Sequence, residues 1–392
     1  MTDSDQAQSS SHWQLFLIFL RLGLTSFGGP AAHLAYFHDE FVKRRKWLSE
    51  SAYGEVVALC QLLPGPASSQ AGLTIGFLRG HYAGALAAWA GFTLPSAILM
   101  ALFAFGLTLW PDAGSGGAIS GLKLFVVAVV AQAVWQMGQS LCPDRPRIVI
   151  AVVVAMALLL AGAVWMQVFV LAMAAMAGIG LKLKSSNGND SLKVPLQSGK
   201  SILFAVLFAI LLALSFMPQA TGSLAWIGAE LYRAGALVFG GGHVVLPWLQ
   251  EGFVVSGAMT ADTFLAGYGV AQAVPGPLFT FSAFLGSAEG GWLGAVVAVV
   301  AVFLPGSLLV LAGLPLWRWI REHKAARAAL VGVNAGVVGL LLAALYDPVW
   351  TSAVHGAGDV AFALLFWLAL AVLRMPVWGL APASALLGAV FL

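Results

Sequence analysis

The chain is a succession of long apolar runs separated by short polar punctuation. Phe125–Trp135, Ile148–Val164 and Val296–Leu314 carry no charged residue. Each lies in or makes up a segment near the roughly 20 residues needed to cross hydrocarbon, so the pattern predicts an all-α polytopic membrane protein. One long interior stretch is polar. It runs from Lys182 to Lys200, mixes lysines with serine, asparagine and glycine, and reads as a cytoplasmic linker. The chain thus divides into residues 1–182, a linker at 183–200, and residues 201–392.

The parts on either side of the linker read as repeats. Arg21, Phe27, Gly28 and Gly29 return as Arg233, Phe239, Gly240 and Gly241, with His33 and His243 following. Gln61, Pro64, Gly65 and Pro66 return as Gln272, Pro275, Gly276 and Pro277, and Leu94-Pro95 returns as Leu304-Pro305. The offsets are 212, 211 and 210, so three landmarks fall in order with almost no gaps.

Basic residues predict how the repeats face. The loop after the first Phe-Gly-Gly carries Lys43, Arg44, Arg45 and Lys46, whereas its counterpart from Glu251 to Asp262 has two acids and no base. Positive charge favours the cytoplasm, so the halves are expected to be inverted. All basic clusters fit if the Phe-Gly-Gly and Pro-Gly-Pro segments are re-entrant. Hairpins at about 13–42 and 50–79 then enter from the cytoplasm, and hairpins at about 223–250 and 263–288 enter from the periplasm. Full crossings at about 82–110, 117–141, 147–163, 164–182 and 201–217 separate them. The competing arrangement makes these segments full spans and needs a periplasmic N-terminus.

Composition agrees with a membrane protein: 60% of the 392 residues are apolar, 9% are charged, and the mean hydropathy is +0.91. A soluble globule cannot hide that much apolar surface. The formal charge of +3 gives no ground for nucleic-acid binding, and Cys60 and Cys142 make neither a disulfide framework nor a metal spacing. Ser198-Gly199-Lys200-Ser201 resembles the end of a phosphate-binding loop, but Val194 stands where that loop needs glycine. No motif points to an enzyme, a metal or a cofactor.

The Gly-Pro breaks are the sharpest candidate chemistry. Proline and glycine should stop a helix before Pro64 and start another at Pro66, leaving free N–H groups near Ala67, Ser68 and Ser69. Such backbone at membrane depth survives only inside protein or beside a polar cavity, and a helix N-terminus there suits an anion. Pro277 to Thr280 repeats the arrangement, and Gly28-Gly29-Pro30 offers a third N-terminus. Gln61, Gln272, Ser68, Ser69, Gln70 and Thr280 add uncharged hydrogen-bonding groups. Arg21 and Arg233 bring a guanidinium either to an oxyanion or to a carboxylate such as Glu230. His33 and His243 could donate to an anion or carry a proton. His38-Asp39-Glu40 beside the basic run reads as an ion-paired interface rather than a metal site.

At Phe27-Gly28-Gly29-Pro30, Trp47-Leu48, Gln61 to Pro66, Phe239 to His243 and Gln272 to Pro277, the sequence resembles the chromate ion transporter family. The resemblance covers nearly the whole chain. It implies secondary transport of chromate out across the inner membrane, with sulfate as an isosteric competitor. The lipid bilayer is the surroundings, and a homodimer is a candidate assembly. Gly242 stands where the first half has Pro30, so the two sites need not be equivalent. Inversion has a direct check: Arg45→Cys and Ala258→Cys should react with an impermeant thiol reagent from opposite faces of the membrane. Labelling from one face contradicts it.

Overall fold

The computed structural model describes residues 11–27, 29–109, 116–161, 164–183, 198–238 and 244–391. Among these residues the regular structure is helical, without a strand. Gly28, Gly240, Gly241 and His243 lie outside the described residues. The first part contains α1 (His12–Thr25), α2 (Gly29–His38), α3 (Glu50–Leu62), α4 (Ala67–Leu109), α5 (Gly117–Leu141), α6 (Arg145–Ala161) and α7 (Val164–Gly180). After α8 (Ser198–Ser215) come α9 (Leu224–Leu237), α10 (Val245–Gln250), α11 (Ala261–Ala273), α12 (Phe281–Glu322) and α13 (Lys324–Ala344). The chain ends with α14 (Thr351–Ala353), α15 (Ala357–Ala371) and α16 (Val377–Phe391).

The two series match in detail. A π-helical turn follows α2 at Asp39–Arg44 and α10 at Glu251–Val255. Both α3 and α11 have 13 residues and start on a hydroxyl cap, Ser49 accepting from the Ala52 N–H and Thr260 from the Thr263 N–H. Both long helices double back. α4 reverses at Gly80-His81, where His81 has φ 53° and ψ −145°, and α12 at Gly290-Gly291, where Gly291 has φ 60° and ψ −152°. The limbs touch so closely that a Cβ on Gly76 would lie 2.5 Å from the Gly84 carbonyl oxygen, and one on Gly286 would lie 2.3 Å from that of Gly294. In a straight helix, residues eight apart are separated by about 12 Å. Glycine is what lets these limbs close.

Four helical stretches are long and apolar enough to cross a membrane: Ala67–Leu107, Gly117–Leu141, Leu278–Leu314 and Lys324–Ala353. The first and third contain the reversals, so their crossing portions begin after Gly80 and Gly290. The first limb of α4, like α1 and α3, is 13 or 14 residues long. At 1.5 Å per residue these reach about 20 Å, short of the roughly 30 Å hydrocarbon core. Large apolar side chains such as Leu160, Ile202 and Leu386 lie on the outside, as a lipid-facing surface requires.

The two parts interlock. Phe105 lies 4.6 Å from Trp292 and Trp89 lies 6.0 Å from Phe303 (ring centroids), so the long limbs of α4 and α12 run antiparallel. α16 packs on α5, and α7 packs on α13, each through facing glycines. A Cβ on Gly121 would meet the Ser384 carbonyl oxygen at 2.0 Å, and one on Gly388 would meet that of Gly117 at 2.1 Å. In the matching pair, a Cβ on Gly332 would meet the Ala174 carbonyl oxygen at 2.1 Å, and one on Gly178 that of Ala328 at 2.2 Å. Small residues let backbones approach where hydrophobicity alone gives no preference between helix and lipid.

The expected ion-paired interface is present. Lys43 pairs with Asp39 at 2.8 Å, Arg44 and Arg45 reach Glu40 at 2.7 and 2.6 Å, and His38 reaches Glu50 at 2.7 Å. Replacing Gly121→Val or Gly332→Val should prise these helix pairs apart at a cost of about 1–3 kcal/mol or more. Thermal unfolding of the purified protein in detergent measures it, with Gly180→Val, a site with open space around it, as the tolerated control.

Candidate functional site

The Pro-Gly-Pro segments break the chain in the same way twice. α3 ends at Leu62, Leu63 is extended, and Gly65 takes φ +116°. α11 ends at Ala273, Val274 is extended, and Gly276 takes φ +101°. Positive φ strains a side chain, which accounts for glycine, and the flanking prolines remove N–H groups that would otherwise need acceptors.

Each break is completed by the other half of the chain. The Gly65 N–H donates to the Val238 carbonyl at 2.7 Å, and the Gly276 N–H donates to the Ser26 carbonyl at 2.9 Å. Ser26 and Val238 stand directly before Phe27 and Phe239, so each Pro-Gly-Pro is tied to the opposite Phe-Gly-Gly. The third motif joins them. A Cβ on Gly65 would lie 3.0 Å from the Gly306 Cα, and one on Gly276 would lie 2.7 Å from the Ser96 Oγ. Gly306 and Ser96 follow Pro305 and Pro95. All three repeated landmarks therefore converge at the contact between the halves.

Uncharged polar groups collect around the two breaks. Gln70 Nε2 donates to the Pro64 carbonyl at 2.8 Å and to the Gly306 carbonyl at 3.2 Å, bridging the halves. His33 Nδ1 lies 3.3 Å from Ser68 Oγ. Ser26, His33, Ser68, Ser69, Gln70, Thr93 and Ser96 are all buried. Ser26 Oγ, His33 Nε2, Ser69 Oγ, Gln70 Oε1 and Thr93 Oγ1 find no protein partner. Buried polar atoms are ordinarily paired, so an unpaired group of them marks a place for water or a ligand. The first bond of α4 runs from the Gln70 N–H to the Pro66 carbonyl at 2.9 Å. The N–H groups of Ala67, Ser68 and Ser69 precede it and have no acceptor within the helix.

The remaining sequence candidates sort differently. Thr280 spends its hydroxyl on the Pro277 carbonyl at 2.7 Å, unlike the matching Ser69, whose hydroxyl has no protein partner. Gln61 is exposed, and Gln272 is half-buried with its Nε2 unpartnered. Gly29 and Pro30 begin α2, as a helix start there requires. Arg233 forms an ion pair with Glu230, the carboxylate role weighed for it, and Arg21 is exposed. Neither guanidinium bonds to the polar cluster among the described residues. Sequence reasoning missed Ser26, Thr93, Ser96 and Gly306. Their signal was position: Ser26 directly precedes a repeated motif, and Ser96 and Gly306 directly follow one.

Known proteins match this chain along most of its length. The chromate transporter family model matches twice, over residues 13–181 and 225–390. A chromate transport protein of Pseudomonas aeruginosa is 31% identical over 339 residues, covering 86% of this chain and 81% of that protein. One of Cupriavidus metallidurans is 27% identical over 377 residues, covering 92% and 87%. An uncharacterized transporter of Bacillus subtilis is 33% identical over 143 residues, which are 36% of this chain but 72% of that protein. No solved structure matches.

Gly65→Ala and Gly276→Ala place a methyl group where φ is positive and backbone or Ser96 is already in contact. Each should lower stability by about 1–3 kcal/mol, read as a fall in the unfolding midpoint.

Proposed function

This chain belongs to the chromate transporter family, and we propose that it exports chromate from the cytoplasm at the crossed breaks between its halves. The observation that carries the reading is the reciprocal pairing of Gly65 with Val238 and Gly276 with Ser26. It gathers helix N-terminal amides, hydroxyls and Gln70 in one buried cluster without a fixed charge among the bonded groups. Chromate is a tetrahedral dianion, and helix N-termini with neutral donors suit such an oxyanion. A site built from neutral donors also lets its ligand leave, which turnover demands.

The same observations support two inverted repeats. One family model fits both halves, and the relative from Bacillus subtilis is half as long as this chain. The matching long limbs of α4 and α12 are antiparallel, as an axis in the membrane plane would make them. With the lysine-rich linker inside, the hairpins built on α1 to the first limb of α4 open to the cytoplasm, and those built on α9 to the first limb of α12 open to the periplasm. Moving two negative charges out of a cell with a negative interior gains about 4.6 kcal/mol per 100 mV, enough for export without a second ion.

We read the conformation as open toward the cytoplasm. Gly54 and Gln61 on α3 are exposed, whereas the matching α11 is buried from Phe264 to Gly269. Asp262 at the start of α11 is tied to Lys123 on α5 at 2.8 Å, and Lys123 is only 8% exposed. That ion pair latches the second half's hairpin, and alternating access has to release it. In a background carrying Gln272→Cys, Lys123→Met should increase labelling from the periplasmic side; unchanged labelling removes the latch.

The transport claim is tested in everted vesicles with labelled chromate. Uptake that saturates, shows counterflow and follows an interior-positive potential is expected. Absence of uptake defeats the proposal. Flux without saturation identifies a channel, and preference for sulfate or an organic acid identifies a transporter of another anion.

A further inference from the structure

A cavity of about 340 Å³ lies away from the crossed breaks, between α7, α8, α9 and the turn after α10. Glu230, Arg233, Trp248 and Glu251 line it. Its mouth is formed by residues such as Val255 and Ser256, on the side read above as periplasmic. Glu230 pairs with Arg233 on the same helix, and its side chain is 18% exposed. Room for the carboxylate comes from Gly252, where a Cβ would stand 2.7 Å from Glu230 Oε2.

Two further observations point to a ligand. Trp248 is 7% exposed and its Nε1–H has no protein acceptor, and the Arg233 Nε is likewise buried without one. An apolar protein interior does not keep such donors dry without cost, so the cavity is suited to water or an ion. The second observation is the contrast between the halves. By the offset of 212, which pairs Phe27 with Phe239 and the starts of the two π-helical turns, Glu230 and Arg233 correspond to Ile18 and Arg21. Ile18 is buried in the apolar core of the first half. In the second half that aliphatic side chain has become a carboxylate, paired with the arginine that both halves share. Packing alone gives no reason for that exchange.

We propose that Glu230 is a proton-binding site, open to the periplasm, that couples proton uptake to the transport cycle. This rests on the transport reading above and adds the coupled ion. A proton from the aqueous cavity binds a Glu230 carboxylate oxygen and breaks its ion pair with Arg233. The freed guanidinium then changes how α9 is held, and α9 leads through Val238 to the Gly65 break. The charged or titratable groups facing Glu230 are Arg233 on its own helix and Glu251 at the end of α10. Val168 on α7 and Phe216 just after α8, which do not titrate, complete the lining on that side. Glu251, a second carboxylate in the same space, favours a shared proton, as like charges in one site do.

Two readouts on the full-length protein separate this proposal from the transport claim. A hydrophobic carbodiimide attacks protonated carboxyls, so mass spectrometry should find Glu230 modified at acidic pH and spared at alkaline pH. In proteoliposomes with the potential clamped, a pH gradient should drive chromate movement in the wild type. Glu230→Gln should lose that response while keeping potential-driven flux, and Glu251→Gln should weaken it. Absence of modification at any pH, or a wild-type gradient response in Glu230→Gln, overturns the site. A wild type that moves no chromate under any gradient sinks the transport reading instead, and the carbodiimide result still decides whether Glu230 takes a proton.

Discussion

Backbone polar groups in the middle of a bilayer have no water to turn to, and that constraint organises this protein. A helix that stops at Leu62 or Ala273 exposes N–H and carbonyl groups that cost several kcal/mol each if left unpaired in hydrocarbon. Neither half satisfies its own break. The Gly65 amide is met by Val238 and the Gly276 amide by Ser26, so each half supplies what the other lacks. The halves cannot separate without exposing both, and the polar cluster between them follows from the same need.

Other features serve that junction. The helix reversals at Gly80-His81 and Gly290-Gly291 bring short limbs back against long ones. The glycine contacts between α5 and α16 and between α7 and α13 repeat at offsets of 211 and 210 and hold the outer helices of one half against the other. Departures from symmetry are as informative as the symmetry. Ser69 keeps an unpartnered hydroxyl near the first break, while Thr280 closes its own on Pro277 at the second. The ion pair of Lys123 with Asp262 ties α11 to α5, and Glu230 stands where the first half has Ile18.

Much of this was legible before any coordinates. The apolar runs and the Gly-Pro punctuation placed the helical segments up to about residue 288, because a break in a membrane segment has few residues that can make it. The start of α4 at Ala67 and of α2 at Gly29 follows from where proline can open a helix. What the sequence withheld was pairing over distance. Nothing local says that Gly65 should bond Val238 rather than a neighbour, or that Gly121 should face Gly388. Arg233 shows the other limit. Its type suited both an oxyanion and a carboxylate, and only geometry assigned it to Glu230.

The central claim is that the anion is held where the two breaks cross. The most direct measurement is a structure of the protein with a bound heavy-atom oxyanion, located by its anomalous or difference density. The account expects that density beside the amides of Ala67 to Ser69, within hydrogen-bond distance of the Ser68 and Ser69 hydroxyls, and between the two halves. Density in the Glu230–Arg233 cavity, or at the exposed Arg21 with the crossed breaks empty, contradicts it.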